Sequence, residues 1–103
     1  MVITCNGPLI VEQSKNTAVF YNHVVVKDSQ GKLCADRMDV LFDPKTNELI
    51  KVVASGNVVI IRGENISRSQ KAIYLAKEKK LMLEGAPKLE VFTTGDGNKE
   101  KLF

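Results

Sequence analysis

The sequence predicts an all-β protein, a twisted antiparallel β jelly roll or folded sheet built from repeated bent strands. Three observations predict this fold. Apolar residues, many of them β-branched, alternate with polar ones through most of the chain, as in strands with two different faces. Glycine or asparagine interrupts several segments midway, where a strand can bend sharply without ending. The segments also resemble one another, which indicates a repeated structural unit.

The clearest copy of the unit is the segment 52–61, in which Gly56 and Asn57 separate two apolar runs. The segment 18–26 repeats it, with Asn22 in the place of Gly56. Asparagine replaces glycine at such a position because it tolerates a left-handed backbone. Related breaks at Gly7 and Gly85 suggest that the unit is used about four times. We therefore expect strand corners at Gly7, Asn22, Gly56 and Gly85.

The first half of the chain predicts three strands. Residues 2–11 form a bent strand broken at Gly7 and Pro8, and a polar turn follows over 12–16. A second bent strand covers 17–27, and a turn over 28–31 leads to a third strand over 33–42. The third strand needs a one-residue bulge near Asp36 to keep its apolar residues on one face.

The second half of the chain repeats this order. Pro44 cannot lie inside a central strand, so residues 43–48 predict a turn. Strands then follow over 49–61, 66–76 and 81–92, with turns over 62–65 and 77–80. Residues 1–92 are therefore expected to form one β domain. The remaining residues, 93–103, lose the alternation and are expected to form a polar, mobile tail.

Composition restricts the class of protein. The 103 residues, 44% hydrophobic and 26% charged, suit one globular domain with a modest core. No apolar run reaches the roughly 18 residues of a membrane helix. Because Met1 leads directly into a predicted strand, we expect that an export signal or membrane anchor has been removed. The formal net charge of +3 leaves phosphate binding open without arguing for it.

The alternation places one apolar set on a single face of the sheet. If the two halves of the folded sheet close tightly, this face is an ordinary core. If the halves splay apart, the same face lines a groove that can take acyl chains. Periodicity alone favours the core.

The order and spacing of several short motifs resemble the OstA-like family of lipopolysaccharide-transport proteins, which includes LptA and the periplasmic domain of LptC. The resemblance covers residues 3–91. One departure is Asn22-His23, where the family more often has Gly-Asn. The motifs are Ala18-x-Phe20-x-Asn22-x-Val24-x-Val26, Leu33-x-Ala35-Asp36-x-Met38-x-Val40-x-Phe42-Asp43, Val52-x-Ala54-x-Gly56-Asn57-Val58-x-Ile60, Ala72-x-Tyr74 and Leu83-x-Gly85-x-Pro87.

The resemblance implies a β jelly roll with an apolar groove in the periplasm of a Gram-negative bacterium. It implies no enzymatic activity, cofactor or metal. Lipid A acyl chains of lipopolysaccharide would lie in the groove and pass between jelly-roll domains joined edge to edge, including a head-to-tail homo-oligomer. Whether the chain is a free bridge protein or an anchored component stays open.

The inward-facing residues and the basic residues near the strand ends then become site candidates. Basic side chains can meet phosphate groups through charge-assisted hydrogen bonds. The candidates for the groove lining are Phe20, Val24, Met38, Val40, Phe42, Val52, Ala54, Val58, Ile60, Tyr74 and Leu83. The candidates for phosphate contacts are Lys27, Lys32, Arg37, Arg62 and Arg68.

Other functions have weaker support. The carboxylates near Asp36 scatter over both strand faces, and His23 has no orienting partner for a cysteine nucleophile. Binding of single-stranded nucleic acid would need aromatic residues on a basic face, and this sequence has too few. A structural β module that binds partner proteins through its edges without lipid remains an alternative. Cys5 and Cys34 are expected on opposite faces, which disfavours a disulfide without excluding one.

Overall fold

The computed structural model describes residues 2–90, which form eight strands and one short 3-10 helix. The predicted tail over 93–103 lies outside the described residues. The 3-10 helix, Gln13–Lys15, replaces part of the turn predicted over 12–16. The strands are β1 (Val2–Thr4), β2 (Leu9–Glu12), β3 (Thr17–Asp28), β4 (Gly31–Phe42), β5 (Leu49–Arg62), β6 (Asn65–Leu75), β7 (Lys80–Glu84) and β8 (Lys88–Glu90).

All eight strands belong to one antiparallel sheet, which confirms the predicted fold class. The four long strands, β3 to β6, lie side by side in chain order. At one edge, β1 and β2 pair with successive parts of β3. At the other edge, β7 and β8 pair with successive parts of β6. The first and last predicted strands are thus each two short strands separated by a corner.

The corners of the long strands β3 and β5 are β-bulges in which two residues oppose one. Asn22 and His23 of β3 oppose Asp36 of β4, and both have positive φ angles, 67° and 52°. Gly56 and Asn57 of β5 oppose Gln70 of β6 in the same way. Such bulges bend a strand and increase its twist. Because the bulges lie at corresponding positions, the whole sheet folds along one line.

Side chains and backbone groups connect neighbouring corners along this line. The Asn22 side-chain amide donates a hydrogen bond to the Gly7 carbonyl oxygen at 2.7 Å. The Asn57 side-chain amide donates to a carboxylate oxygen of Asp36 at 3.0 Å. The backbone N–H of Gln70 donates to the Gly85 carbonyl at 3.1 Å. The four predicted corner residues therefore lie on the fold line, and Gly7, Gly56 and Gly85 all have positive φ.

The fold line divides the sheet into two arms. The first arm holds β1, β8 and residues 24–35 and 58–69, and the second holds β2, β7 and residues 17–21, 37–42, 49–55 and 71–75. Small and medium apolar side chains near the line form the core. Its buried members are Val24, Ala35, Met38, Val40, Ala54, Val58 and Ala72. Ala35 and Met38 of β4 share the inner face, as predicted, but the extra residue of the bulge lies in β3, where Asn22 and His23 oppose Asp36 alone.

The inner face departs from a simple buried, alternating pattern at two places. Leu9 and Val11 pair with the inner-face residues Phe20 and Ala18, but they are 51% and 61% exposed because β2 lies at an edge. At the start of β5, the pairing shifts between Leu41 and Phe42. Leu49 therefore lies opposite Phe42 on the inner face, a position that simple alternation from Val52 would give to Ile50.

The turn between β4 and β5 is fixed by Asp43. Its carboxylate accepts hydrogen bonds from the backbone N–H groups of Lys45, at 2.8 Å, and Thr46, at 3.2 Å. These bonds stabilise the charged form and lower the pKa of the Asp43 carboxyl below its ordinary value. The prediction of a turn over 43–48 is confirmed.

Candidate functional site

A cleft of about 520 Å³ lies between the two arms. Its wall is formed mainly by apolar side chains from both sides of the fold line. The first arm contributes Ile3, Val26, Leu33 and Ile60, and the second contributes Met38, Val40, Phe42, Leu49, Val52, Tyr74 and Leu81. A volume of this size is within the usual range for ligand pockets, which is roughly 300 to 1,000 Å³.

The register explains why these residues meet. In an antiparallel sheet, directly paired residues point to the same side, so apolar residues form rows across the strands. One row across the first arm joins Val26, Leu33 and Ile60, with Ile3 at its edge. A row across the second arm joins Val40, Val52 and Tyr74, with Leu81 at its edge. The fold brings these two rows to opposite walls of one cleft.

The predicted groove residues divide into three groups. Six line the cleft: Met38, Val40, Phe42, Val52, Ile60 and Tyr74. Val24, Ala54 and Val58 are fully buried in the core near the fold line, where the arms are closest. Phe20 and Leu83 are half-buried against that core and lie outside the cleft wall.

The mouth of the cleft is polar and mainly basic. It includes Asp28, Gln30, Lys32 and Arg62 at the tip of the first arm, and Lys79 at the tip of the second. Sequence reasoning missed Lys79 because it lies in a charged turn that resembles an ordinary solvated one. A signal was present, since that turn directly precedes Leu81, a residue of the inner row.

The candidates for phosphate contacts are separated by the fold. Arg62 lies at the cleft mouth, and Lys32 borders it but pairs with Lys27 and Ile61, so its side chain is directed to the outer face. Lys27 is exposed on β3 and does not line the cleft. Arg37 is held on the outer side of the sheet by two hydrogen bonds to Asp39, which raise the pKa of its guanidinium, and it lies 5.2 Å above the Tyr21 ring. Arg68 pairs with Glu90 at 3.8 Å.

The cysteines and the histidine are spread over the sheet. Cys5 packs against the core on the inner face, whereas Cys34 pairs with Val25 and Val59 on the outer face, and both thiols are free. His23 is exposed at its corner. Within residues 2–90, no group of three potential ligand side chains is placed to hold a metal ion. In the same range, no helix is long and apolar enough to cross a membrane.

The edges of the sheet differ in character. Every residue of β2 is exposed, including Leu9, Ile10 and Val11. Its inner neighbour is β3, and no described strand pairs with its other side. The opposite edge, formed by β7 and β8, carries Lys80, Glu84, Lys88 and Glu90 among its apolar residues. The sheet thus stays open at both edges within the described residues.

The fold and the cleft define a class of protein, an open, folded β jelly roll whose apolar inner face forms a cleft instead of a closed core. The family model described as LptA/(LptD N-terminal domain) LPS transport protein matches residues 8–101. The chain therefore belongs to this family of lipopolysaccharide-transport proteins, and the resemblance to the OstA-like family is confirmed. The match extends into the predicted tail, and the domain limits 1–92 and 93–103 stay a prediction.

Among solved structures, the chain is similar to the crystal structure of LptH from Pseudomonas aeruginosa. That structure is described as the LptA homologous periplasmic component of the conserved lipopolysaccharide transport device. The sequences are 12% identical, the match covers 89% of this chain and 94% of that one, and the TM-score is 0.43. A comparison with curated proteins finds no match.

Proposed function

We propose that this protein is a non-enzymatic component of a periplasmic lipopolysaccharide bridge between the inner and outer membranes. It binds lipid A acyl chains in the cleft and passes them to the next jelly-roll domain. The observation that carries this proposal is the cleft itself, which has an apolar wall from both arms and a basic mouth. An anionic lipid matches both properties. Membership of the lipopolysaccharide-transport family supports the same substrate.

The chemistry of the wall suits transport better than permanent storage. Burying a methylene group contributes about 0.8 kcal/mol without requiring a fixed orientation. The wall residues Ile60, Val52 and Phe42 offer such contacts and no directed hydrogen bonds. An acyl chain can therefore shift along the wall while it stays out of water.

Photo-crosslinking tests the lipid site directly. A photoreactive amino acid at Phe42 or Ile60 is expected to crosslink to lipopolysaccharide, because both positions line the cleft. The matched control positions are Leu41 and Val59, their chain neighbours on the opposite face of the same strands. Crosslinking at Leu41 and Val59 that equals or exceeds that at Phe42 and Ile60 would exclude the cleft as the lipid site. The readout is a lipid-bearing band in gel electrophoresis.

A structural β module without lipid is the second candidate function. The exposed apolar strand β2 favours it, because Leu9, Ile10 and Val11 suit a protein partner as well as a bridge neighbour. Both functions use the edges of the sheet for assembly, and only the transport function requires lipid in the cleft. Absence of lipid crosslinking at every cleft position, in a protein that still assembles through its edges, would favour the module.

Edge-to-edge stacking predicts that β2 takes part in assembly. Ile10 is 43% exposed, so Ile10→Lys should leave the fold intact while placing a charge on a docking edge. We expect wild-type protein to form larger species as its concentration rises and Ile10→Lys to remain monomeric in sedimentation velocity runs. Ser29→Lys adds the same charge to an exposed turn and should assemble like the wild type. Assembly of Ile10→Lys to the wild-type extent would contradict a role for β2.

A further inference from the structure

The guanidinium of Arg62 is held in place at the mouth of the cleft. The Asp28 carboxylate accepts hydrogen bonds from the backbone N–H groups of Gln30, at 2.7 Å, and Gly31, at 3.0 Å, which fixes the turn. The Gln30 side-chain oxygen in turn accepts a hydrogen bond from Arg62 Nη2 at 2.7 Å. Arg62 is therefore positioned through the turn, although it is an exposed residue.

Gly31 lets the arginine stem approach the turn closely. A Cβ at Gly31 would lie 3.2 Å from Arg62 Cγ and would overlap the Ile61 carbonyl oxygen. The absence of a side chain therefore allows β4 and β5 to meet tightly below the guanidinium. This contact and the Gln30 hydrogen bond restrict Arg62 from two sides, so less conformational entropy is lost when it binds an anion.

The positive charge at the mouth is not neutralised by neighbouring ion pairs. Within residues 2–90, neither Arg62, Lys32 nor Lys79 has a carboxylate oxygen within 4.0 Å, whereas Arg37 and Arg68 each form an ion pair. Asp28, the one acidic residue of the mouth, uses its carboxylate to cap the turn. Lys32 pairs with Lys27 and Ile61 and is therefore directed to the outer side, so the inner side of the mouth combines two cations, Arg62 and Lys79, with one carboxylate.

We infer that Arg62, with Lys79 on the other arm across the mouth, forms a subsite for the phosphate group of a phosphorylated lipid; this inference rests on the proposed function. Arginine suits phosphate because its planar group can donate two parallel hydrogen bonds. The bond to Gln30 uses a single donor and leaves others free. Leu33 and Ile60, next to Lys32 and close to Arg62 in the chain, begin the apolar wall immediately below. The subsite therefore holds the head group while the acyl chains lie in the cleft.

Two amphiphiles with the same chain test this subsite. Dodecyl phosphate and dodecyl maltoside would be titrated into the full protein below their critical micelle concentrations, with binding followed by calorimetry. Arg62→Gln is expected to lower the affinity for dodecyl phosphate about tenfold, which corresponds to the loss of one charge-assisted contact. Its affinity for dodecyl maltoside should change by less than about twofold. Gln30→Ala removes the hydrogen bond that positions Arg62 and should lower the affinity for dodecyl phosphate about threefold.

Arg68→Gln is the matched control, because it removes the same charge from the same arm at a residue paired with Glu90. It should leave both affinities within about twofold of the wild type. Equal weakening by Arg62→Gln and Arg68→Gln would overturn the subsite and show general attraction by net charge. Arg62-dependent binding of inorganic phosphate as tight as that of dodecyl phosphate would overturn its assignment to a lipid head group.

The proposed function and the subsite fail in different ways. If dodecyl maltoside binds but dodecyl phosphate shows no dependence on Arg62, the cleft is supported and the subsite is overturned. If neither amphiphile binds the wild-type protein, both are overturned.

Discussion

Replacing Gly56 by alanine is expected to lower the free energy of unfolding by about 3 kcal/mol. The φ angle of Gly56 is +80°, and an alanine there carries a strain of roughly 1 to 2 kcal/mol. Its Cβ would also lie 2.6 Å from an Asp36 carboxylate oxygen and 2.9 Å from Asp36 Cβ, so part of the corner must move. Overpacking of this kind costs about 1 to 3 kcal/mol. Urea denaturation followed by circular dichroism measures the change.

Gly63→Ala separates the clash from the backbone strain. Gly63 also has a positive φ angle, +59°, but a Cβ there would meet no atom within 4 Å. We expect a loss of about 1 kcal/mol, from backbone strain alone. If the two variants lose the same stability, contact between Gly56 and Asp36 does not restrict the corner.

Replacing Met38 by alanine is expected to lower the free energy of unfolding by about 3 kcal/mol. Met38 is 1% exposed and belongs to both the buried core and the cleft wall. Truncating a buried methionine typically costs about 2 to 5 kcal/mol, because apolar contacts are lost and a cavity remains. The open cleft next to Met38 lets neighbours or water fill part of the space, which favours the lower half of that range. The same urea titration measures it.

Met82→Ala is the matched control for this variant. Met82 pairs with Ile73 at an edge of the sheet and is only partly buried. The same truncation there should cost less, about 1 kcal/mol, because part of the side chain already contacts water and no tightly enclosed cavity remains. A loss at Met82 equal to that at Met38 would contradict a core concentrated on the inner face.

The positions of the strand corners could be predicted from the local sequence. Gly56-Asn57 and Asn22-His23 both adopt left-handed conformations, although the second pair lacks glycine. Asparagine and histidine tolerate this region better than most residues, so composition alone indicated where the strands bend. An irregularity at Asp36 was also predictable, because Ala35 and Met38 cannot otherwise share a face, but alternation within β4 did not show that the extra residue lies in β3.

The division of the inner face into core and cleft residues was harder to predict from the sequence. Val24, Val58, Val52 and Ile60 have similar side chains and the same alternation, yet the first two are fully buried and the last two line the cleft. Their difference is distance from the fold line, because space between the arms increases away from it. Periodicity reports which face a residue occupies and contains no information on the angle between two arms.

The basic mouth of the cleft was likewise recognisable only from the tertiary structure. Arg62 and Gln30 are far apart in the chain, and Lys79 belongs to a turn on the other arm. Each resembles an ordinary surface residue in the sequence. Folding of the sheet brings the three to the mouth of one cleft, and the Gln30 hydrogen bond distinguishes Arg62 from Arg37 and Arg68.

The sequence by itself determined the strands, the corners, the inner face and the family resemblance, because each depends on residues close together in the chain or on their order. Only the tertiary structure decided which inner residues form a core, which line a cleft, and which cations meet at its mouth. The physical reason is that the angle between the arms depends on contacts between residues of different strands at the fold line, such as Asn57 with Asp36 and Gly85 with Gln70, which alternation within one strand does not report.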